Sequence, residues 1–347
     1  MNLQRLLGIE LPIIQAPMAG VQLSALAVAV SEAGGLGSLP CAMLGSEALR
    51  AELVAIGAQT RRPYNLNFFA HRAPQVDAPR EAAWRGRLAP YYREFGIDVS
   101  NITAGAPRHP FNADYAELIA EFKPAVVSFH FGLPSADLLA RVKSWGAKVL
   151  SSATTVDEAR WLAEHGVDAI IAQGLEAGGH RGLFLSEDLT TQAGTLALLL
   201  QIVRAVNLPV IAAGGIADRQ GVVAAMALGA AGAQIGTAYL LCPEASTSAV
   251  HRAALKSEAA RHTALTNVFT GRPARGIVNR IVREVGPISA AAPEFPLATS
   301  AIAPLRAAAE SRGSDDFSPL WSGQNASGCR EIPAAALTRE LAGISPL

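Results

Sequence analysis

The sequence predicts an α/β protein: a (β/α)8 TIM barrel with a smaller, mainly helical substrate or lid region. Three observations carry this. Eight short apolar runs alternate with amphipathic stretches within about 240 residues. Half of the 347 residues are hydrophobic and 17% are charged, enough to bury a large core. Glycine follows four helix-like stretches, at Gly34, Gly146, Gly166 and Gly229, where a left-handed C-cap is required.

The units follow one another in order. Strand-like 12–15 precedes helix-like 24–33, and 35–39 precedes 46–58. The third run, 64–68, leads into an irregular piece and then helix-like 113–122. The next pairs are 125–129 with 135–145 and 148–151 with 156–165. Run 169–172 is followed by a loop and helix-like 191–206, and run 209–213 by 218–228. The eighth run is 233–235. Residues 222–243 carry no charge and are long enough for a membrane span. Glycines at 229, 232 and 236 divide them into a helix and a short strand.

Residues 1–243 are thus assigned to the barrel. An excursion at 71–112, rich in proline and aromatics, is too long for an ordinary loop and is expected over the active-site face. Its Trp84, Tyr91 and Tyr92 either pack the excursion or line the substrate pocket. Residues 244–300 are expected to form the largely helical lid. Residues 301–347 supply a C-terminal helix, with 301–311 completing the barrel, and a tail packing back on it.

Lysine plus arginine equals aspartate plus glutamate, 29 each, which gives no electrostatic case for nucleic acid or an acidic membrane. Cys41, Cys242 and Cys329 have neither metal nor disulfide spacing, so a reducing cytoplasm and no metal are expected. The N-terminal residues lack a signal-peptide layout.

The unusual residues fall at strand ends, where barrel chemistry sits. Ala16-Pro17-Met18-Ala19-Gly20 follows the first strand, Asn67 ends the third, and His130-Phe131-Gly132 the fourth. Gln173 ends the sixth, before Ala177-Gly178-Gly179-His180-Arg181. Gly214-Gly215 follows the seventh, and Gln234-Ile235-Gly236-Thr237 spans the end of the eighth. Glycine-rich turns in register after three adjacent strands expose backbone N–H groups to an anion, so a bound phosphate is expected. No P-loop and no lysine at a strand end is present, which disfavours a nucleoside triphosphate and pyridoxal phosphate. FMN fits better: one phosphate, and a ring with amide-like edges for Asn67 and Gln173 to read.

Roles follow from position. His130 is the candidate catalytic group, able to bond a substrate oxygen or move a proton near neutral pH, the alternative being a histidine that merely packs in the barrel mouth. His180 either touches flavin or substrate or caps the loop. Arg181 either balances the phosphate or pairs with a carboxylate. Glu176 fixes the loop through backbone N–H groups.

Together A-P-M-A-G, G-G-L-G, N-L-N-F, S-F-H-F-G-L-P, Q-G-L-E-A-G-G-H-R-G, A-A-G-G-I and Q-I-G-T-A resemble the FMN-dependent nitronate monooxygenases, and F-T-G-R-P-A-R-G is similar to their class I. The resemblance runs from about residue 10 to 330. It implies oxidative denitrification of alkyl nitronates, propionate 3-nitronate among them, with dioxygen. The partners implied are small molecules, with no nucleic acid and no membrane, and a monomer or homodimer. Carried over by motif, Met18 and Gly20 lie along the flavin, and Asn67 and Gln173 bond it. Gly178, Gly179, Gly214, Gly215, Gln234, Gly236 and Thr237 hold its ring edge and phosphate, and His130 is the active-site histidine. Rival FMN barrels, an enoyl-thioester reductase or an NAD(P)H:quinone reductase, share the glycine loop; a non-catalytic flavin-binding barrel is a further alternative. One departure stands out. Class I sequences tend to place tyrosines and a lysine after the last strand. This chain has no tyrosine from 240 to 347; Phe295 stands in place of one, and Arg306 is the cation near the late helix.

Overall fold

The computed structural model describes residues 2–98, 102 and 108–344. The barrel strands are β1 (Ile13–Gln15), β2 (Gly37–Pro40), β3 (Tyr64–Phe69), β4 (Val126–His130), β5 (Lys148–Ala153) and β6 (Ala169–Gln173). After the two-residue β7 (Gly179–His180) come β8 (Val210–Ala213) and β9 (Gly232–Ile235). The barrel sheet is parallel throughout, in the order β1-β9-β8-β6-β5-β4-β3-β2. A parallel bridge between Ile14 and Leu36 joins its two ends. All eight expected runs are strands of this sheet.

Period-two alternation explains both faces of the wall. Val127, Phe129, Val149, Ile170 and Ala212 pack outward on the ring of helices. Val126, Leu150, Ala169, Ile171 and Ile211 point inward and form the floor of the barrel. The short helix Leu3–Leu7 closes that floor with Leu3 and Leu7. One step further along the same inner faces stand polar residues: Asn67 on β3, Ser128 and His130 on β4, Ser152 on β5, Gln173 on β6. The interior is therefore apolar below and polar above.

Helix ends match their sequence signals. Asn112, Thr155 and Asp218 accept from the third residue beyond them, as N-caps do. Gly34, Gly146, Gly166 and Gly229 take φ of 94°, 88°, 86° and 96°. Residues 222–243 divide as expected into the helix Arg219–Ala227 and β9. No helix among the described residues is long and apolar enough to cross a membrane.

Outside the barrel the structure departs from the sequence reading. The stretch after β9 contains β10 (Thr263–Thr266) and β11 (Ala274–Ile277) besides short helices. β11 pairs antiparallel with β10 on one side and with β7 on the other. The smaller region is thus stitched to the glycine loop through a three-stranded sheet. The excursion contains the helix Ala78–Phe95, capped by Asp77. Its Trp84, Tyr91 and Tyr92 form a second core with the helix Ala298–Glu310, burying Ile302 and Leu305. They pack between elements and do not line the pocket. The late helix therefore does not complete the barrel. The helix Ala334–Leu341 takes that place, with Leu337 and Leu341 against Leu26, Val30 and Val222.

Trp84 is 1% exposed, and its indole N–H donates to the Ala298 carbonyl at 3.3 Å. Trp84→Ala is expected to cost about 3–5 kcal/mol in chemical denaturation, as large aromatic truncations in cores do. A loss below about 1 kcal/mol would mean that this second core carries no stability of its own.

Candidate active site

A cavity opens at the C-terminal ends of the barrel strands. Every residue expected at the site lines it except Gly20: Met18, Asn67, His130, Gln173, Gly178, Gly179, His180, Gly214, Gly215, Gln234, Gly236 and Thr237. Gly20 lies just beyond the lining stretch Ala16–Ala19 and is exposed.

The turn after β1 is held from below by two glutamines. Gln22 Oε1 accepts from the Met18 N–H at 3.1 Å and from Gln15 Nε2 at 2.5 Å. Gln22 Nε2 donates to the Ser38 carbonyl, and Ser38 N–H to Gln15 Oε1. Both glutamines are buried, so the position of Met18 is fixed by a closed polar network.

The glycine loop is held by Arg181. Its guanidinium is wholly buried. Nη1 donates to the Gly174 carbonyl and Nη2 to the Gln173 carbonyl, each at 2.7 Å; Nε and Nη2 reach Gln192 Oε1 at 3.0 Å. The expected pairing of Arg181 with a carboxylate does not form. Its donors go to two carbonyl oxygens left free where β6 ends and to the Gln192 amide oxygen. Burial lowers its pKa to about 10, and it stays charged at neutral pH. Glu176 does fix the loop: it accepts from Thr195 N–H and Oγ1 at 2.7 Å, at the start of the helix Thr195–Ala205.

Within the loop, Gly178 has no space for a side chain; a Cβ there would lie 2.5 Å from the Gly323 nitrogen. Gly179 has φ of 72°, and its Cβ position meets nothing within 4 Å. A bare, left-handed backbone on open cavity suits close approach of a flat ligand.

His130 and His180 are linked through one carbonyl. The His180 carbonyl accepts from His130 Nε2 at 3.0 Å and from Gln173 Nε2 at 2.9 Å. A carbonyl only accepts, so Nε2 of His130 carries the proton. Nδ1 then accepts from Ser152 Oγ at 3.0 Å. What remains exposed of His130 lines the cavity. Burial pushes its pKa down to about 4, with repulsion from Arg272 and Arg181 outweighed in part by the bond to His180. His180 bonds Thr270 Oγ1 at 2.9 Å through Nε2. Burial first, then Arg108, holds it well below the ordinary value of 6.5. Both rings are neutral at pH 7.

The walls fit a cofactor with amide-like edges and a phosphate. Gln234 Oε1 is buried without a hydrogen-bond partner among the described residues, so it lacks a donor that a ring N–H would supply. Asn67 spends its NH2 on Ser128, leaving Oδ1. Gln173 uses one N–H on His180 and its Oε1 on the Gly182 N–H, leaving one N–H. Thr237 opens the turn Thr237–Leu241 and accepts from Gly323 N–H at 2.9 Å, so its own hydroxyl proton is free for an anion.

Several lining residues carried no sequence signal. Phe69, Arg108, Trp321, Gly323 and Asn325 come from the excursion's flanks and the tail. Asn325 Nδ2 donates to the Gly215 carbonyl at 3.0 Å, and Gln324 N–H to the Glu176 carbonyl. The tail thus closes over the turn after β8. Only the aromatic character of Phe69 and Trp321 could have marked them.

A family profile described as nitronate monooxygenase matches residues 1–343. A nitronate monooxygenase of Pseudomonas aeruginosa is 45% identical over 342 residues, 97% of each chain. One of Paraburkholderia phytofirmans is 45% identical over 343 residues, 97% of this chain and 92% of the relative. Among solved structures, a nitroalkane oxidase from Streptomyces ansochromogenes superposes with a TM-score of 0.88 at 38% identity, covering 98% and 96% of the two chains. FabK from Thermotoga maritima is more distant, with a TM-score of 0.70 at 26% identity and coverage of 98% and 94%. The chain is therefore an enzyme of the nitronate monooxygenase family.

Proposed function

We propose that this enzyme binds FMN and oxidises alkyl nitronates, propionate 3-nitronate among them, with dioxygen to a carbonyl product and nitrite. The observation that carries the reading is the chemistry of the cavity lining. Among the described residues it holds no acidic side chain, and its two histidines are both neutral. A site that had to pull a proton from carbon would need a base with a pKa near the working pH. A nitronate has already lost that proton and arrives as an anion. A lining free of carboxylates admits it without repulsion.

Bound FMN would supply the electron acceptor that the protein's own side chains lack. Met18 and Gly179 would flank its ring, and Asn67, Gln173 and Gln234 would bond the ring edges. Gly214, Gly215, Gly236 and Thr237 would hold the phosphate. His130 is the candidate catalytic residue at the substrate end. Its Nε2–H also fixes the His180 carbonyl, and so sets where the His180 ring stands. A nitro oxygen could accept from His130 only by sharing or displacing that bond. Thr270 donates to the Arg272 carbonyl and so accepts from His180 Nε2–H, which leaves Nδ1 of the neutral His180 ring as an acceptor only.

The direct test is an absorbance spectrum of FMN-loaded protein during anaerobic addition of propionate 3-nitronate. The flavin band is expected to bleach, and admission of air to release nitrite. An unchanged spectrum would remove the reading, and bleaching by NADH alone would favour a reductase.

His130→Ala is expected to lower turnover at least about tenfold while FMN stays bound. Unchanged kinetics would reduce His130 to packing.

Stability should depend on pH in a stated direction. Burial lowers His71, His130 and His251 from 6.5 to about 4, and holds His180 well below 6.5. Below pH 6.5 the unfolded chain takes up protons that the folded chain does not. Stability is thus full above about pH 6.5 and falls toward pH 4, by up to about 1.4 kcal/mol per pH unit for each histidine. Thermal unfolding at pH 7.5 and 5.0 measures this; an equal or higher Tm at pH 5.0 would contradict it.

A further inference from the structure

Arg108 is the one charged side chain in the cavity lining among the described residues. It differs from every other arginine around the glycine loop. Arg181 donates to Gln173, Gly174 and Gln192. Arg275 donates to the Leu175 carbonyl and Thr263 Oγ1, and Arg272 to the Leu183 carbonyl. Those three are structural ties. The Arg108 side chain has no hydrogen bond or ion pair among the described residues; its backbone alone bonds, to His71. The neighbours outside the described residues, 99–101 and 103–107, include no acidic residue to serve as its partner. Its guanidinium faces an aromatic ring, with the guanidinium carbon 5.9 Å from the centre of the Phe295 ring. The charge that acts on it most is another cation, Arg306, and burial and that repulsion both lower its pKa.

Its position separates it from the phosphate walls. Those follow β8 and β9. Phe295, beside Arg108, packs on His71 at 4.9 Å, Phe131 at 5.5 Å and Phe69 at 6.0 Å, from the ends of β3 and β4 across the barrel. The same ring lies 5.2 Å from that of His180. Arg108 therefore stands about one aromatic ring away from the histidine pair, on the substrate side. A partly desolvated cation without a counter-charge favours an anion brought by the ligand.

We propose that Arg108 is a specificity-determining residue that binds a second negative group on the substrate, so that the site selects short nitronates carrying a carboxylate. The proposal rests on the nitronate reading above. The nitronate end lies toward His130 and His180, and the carboxylate end meets Arg108.

The test uses two substrates and one unreactive ligand on FMN-loaded protein. Propionate 3-nitronate carries the carboxylate, and butyl nitronate has a similar length without it. Succinate offers two carboxylates and no reaction, and its binding is read by calorimetry. For Arg108→Met, kcat/KM on propionate 3-nitronate should fall about a hundredfold, mainly through KM. The value on butyl nitronate should change less than about threefold. Succinate binding, present in the parent enzyme, should be lost. Arg108→Lys should recover part of both, and neither variant should change FMN affinity. Equal losses on both nitronates, no loss on either, or no succinate binding by the parent enzyme would each overturn the proposal. A parent enzyme inert to both nitronates would sink the nitronate reading by itself. Succinate then decides Arg108 separately: binding lost in Arg108→Met upholds an anion site there, and binding retained overturns it. Should Arg108→Met fail to fold, Arg108→Gln replaces it with the same criteria.

Discussion

The site hangs from one buried cation. Arg181 has no exposed surface, and its donors hold the carbonyls of Gln173 and Gly174 and the side chain of Gln192. A charge so placed is costly unless its hydrogen bonds are made. Here the cost is spread through a relay. Gln192 passes from Arg181 to Thr154 Oγ1, and Thr154 donates to Glu158 Oε2 at 2.7 Å. Glu158 Oε1 accepts from Phe184 N–H at 2.6 Å, just past the loop. Positive and negative charge thus bracket the loop without touching. Arg181 also donates its backbone N–H to the Pro273 carbonyl, which ties the loop to the smaller region. Removing the cation would free the end of β6, the loop and the seam to β11 together.

What hangs from it is a histidine pair with defined tautomers. The loop places the His180 carbonyl where both His130 and Gln173 donate to it. That arrangement commits His130 to one neutral form, and the burial that accompanies it removes the protonated form from the working range. Water-excluding walls strengthen every remaining polar contact with a ligand. The same burial makes the pair useless as a general base near neutral pH. Structure and substrate state are matched, because a nitronate asks for orientation and charge complementarity and brings its carbanion with it.

Much of the barrel was legible because its signals are local. The period-two inner face from Val126 through Ser128 to His130 follows from strand geometry alone, and so does the placement of Gln173 beyond Ile171. The four C-capping glycines mark unit boundaries by a constraint on φ. Arg181 was not legible, since its partners are carbonyls freed by the end of β6 and a glutamine eleven residues on. A sequence shows the cation and not which acceptors lack donors. β10 and β11 escaped for a related reason. Each has four residues, and one partner of β11 is a two-residue strand inside the glycine loop, more than ninety residues earlier. Trp321, Asn325 and Arg108 reach the cavity only because the chain returns to it.

Phe295 and the position of Arg108 belong together in this structure. A tyrosine at 295 would present a hydroxyl to the pocket; Phe295 presents a ring face and packs among four other aromatic or imidazole rings and the Arg108 guanidinium. A cation–π contact at 5.9 Å keeps a guanidinium in place without consuming any of its N–H donors. A phenol or carboxylate there would take up donors. Arg306, the cation on the late helix, is already held by Glu310 at 2.7 Å. Positive charge for the cavity therefore comes from the excursion's end, with its side-chain donors unspent among the described residues. Aromatic support without hydrogen bonding is what leaves a partly buried arginine available to a ligand.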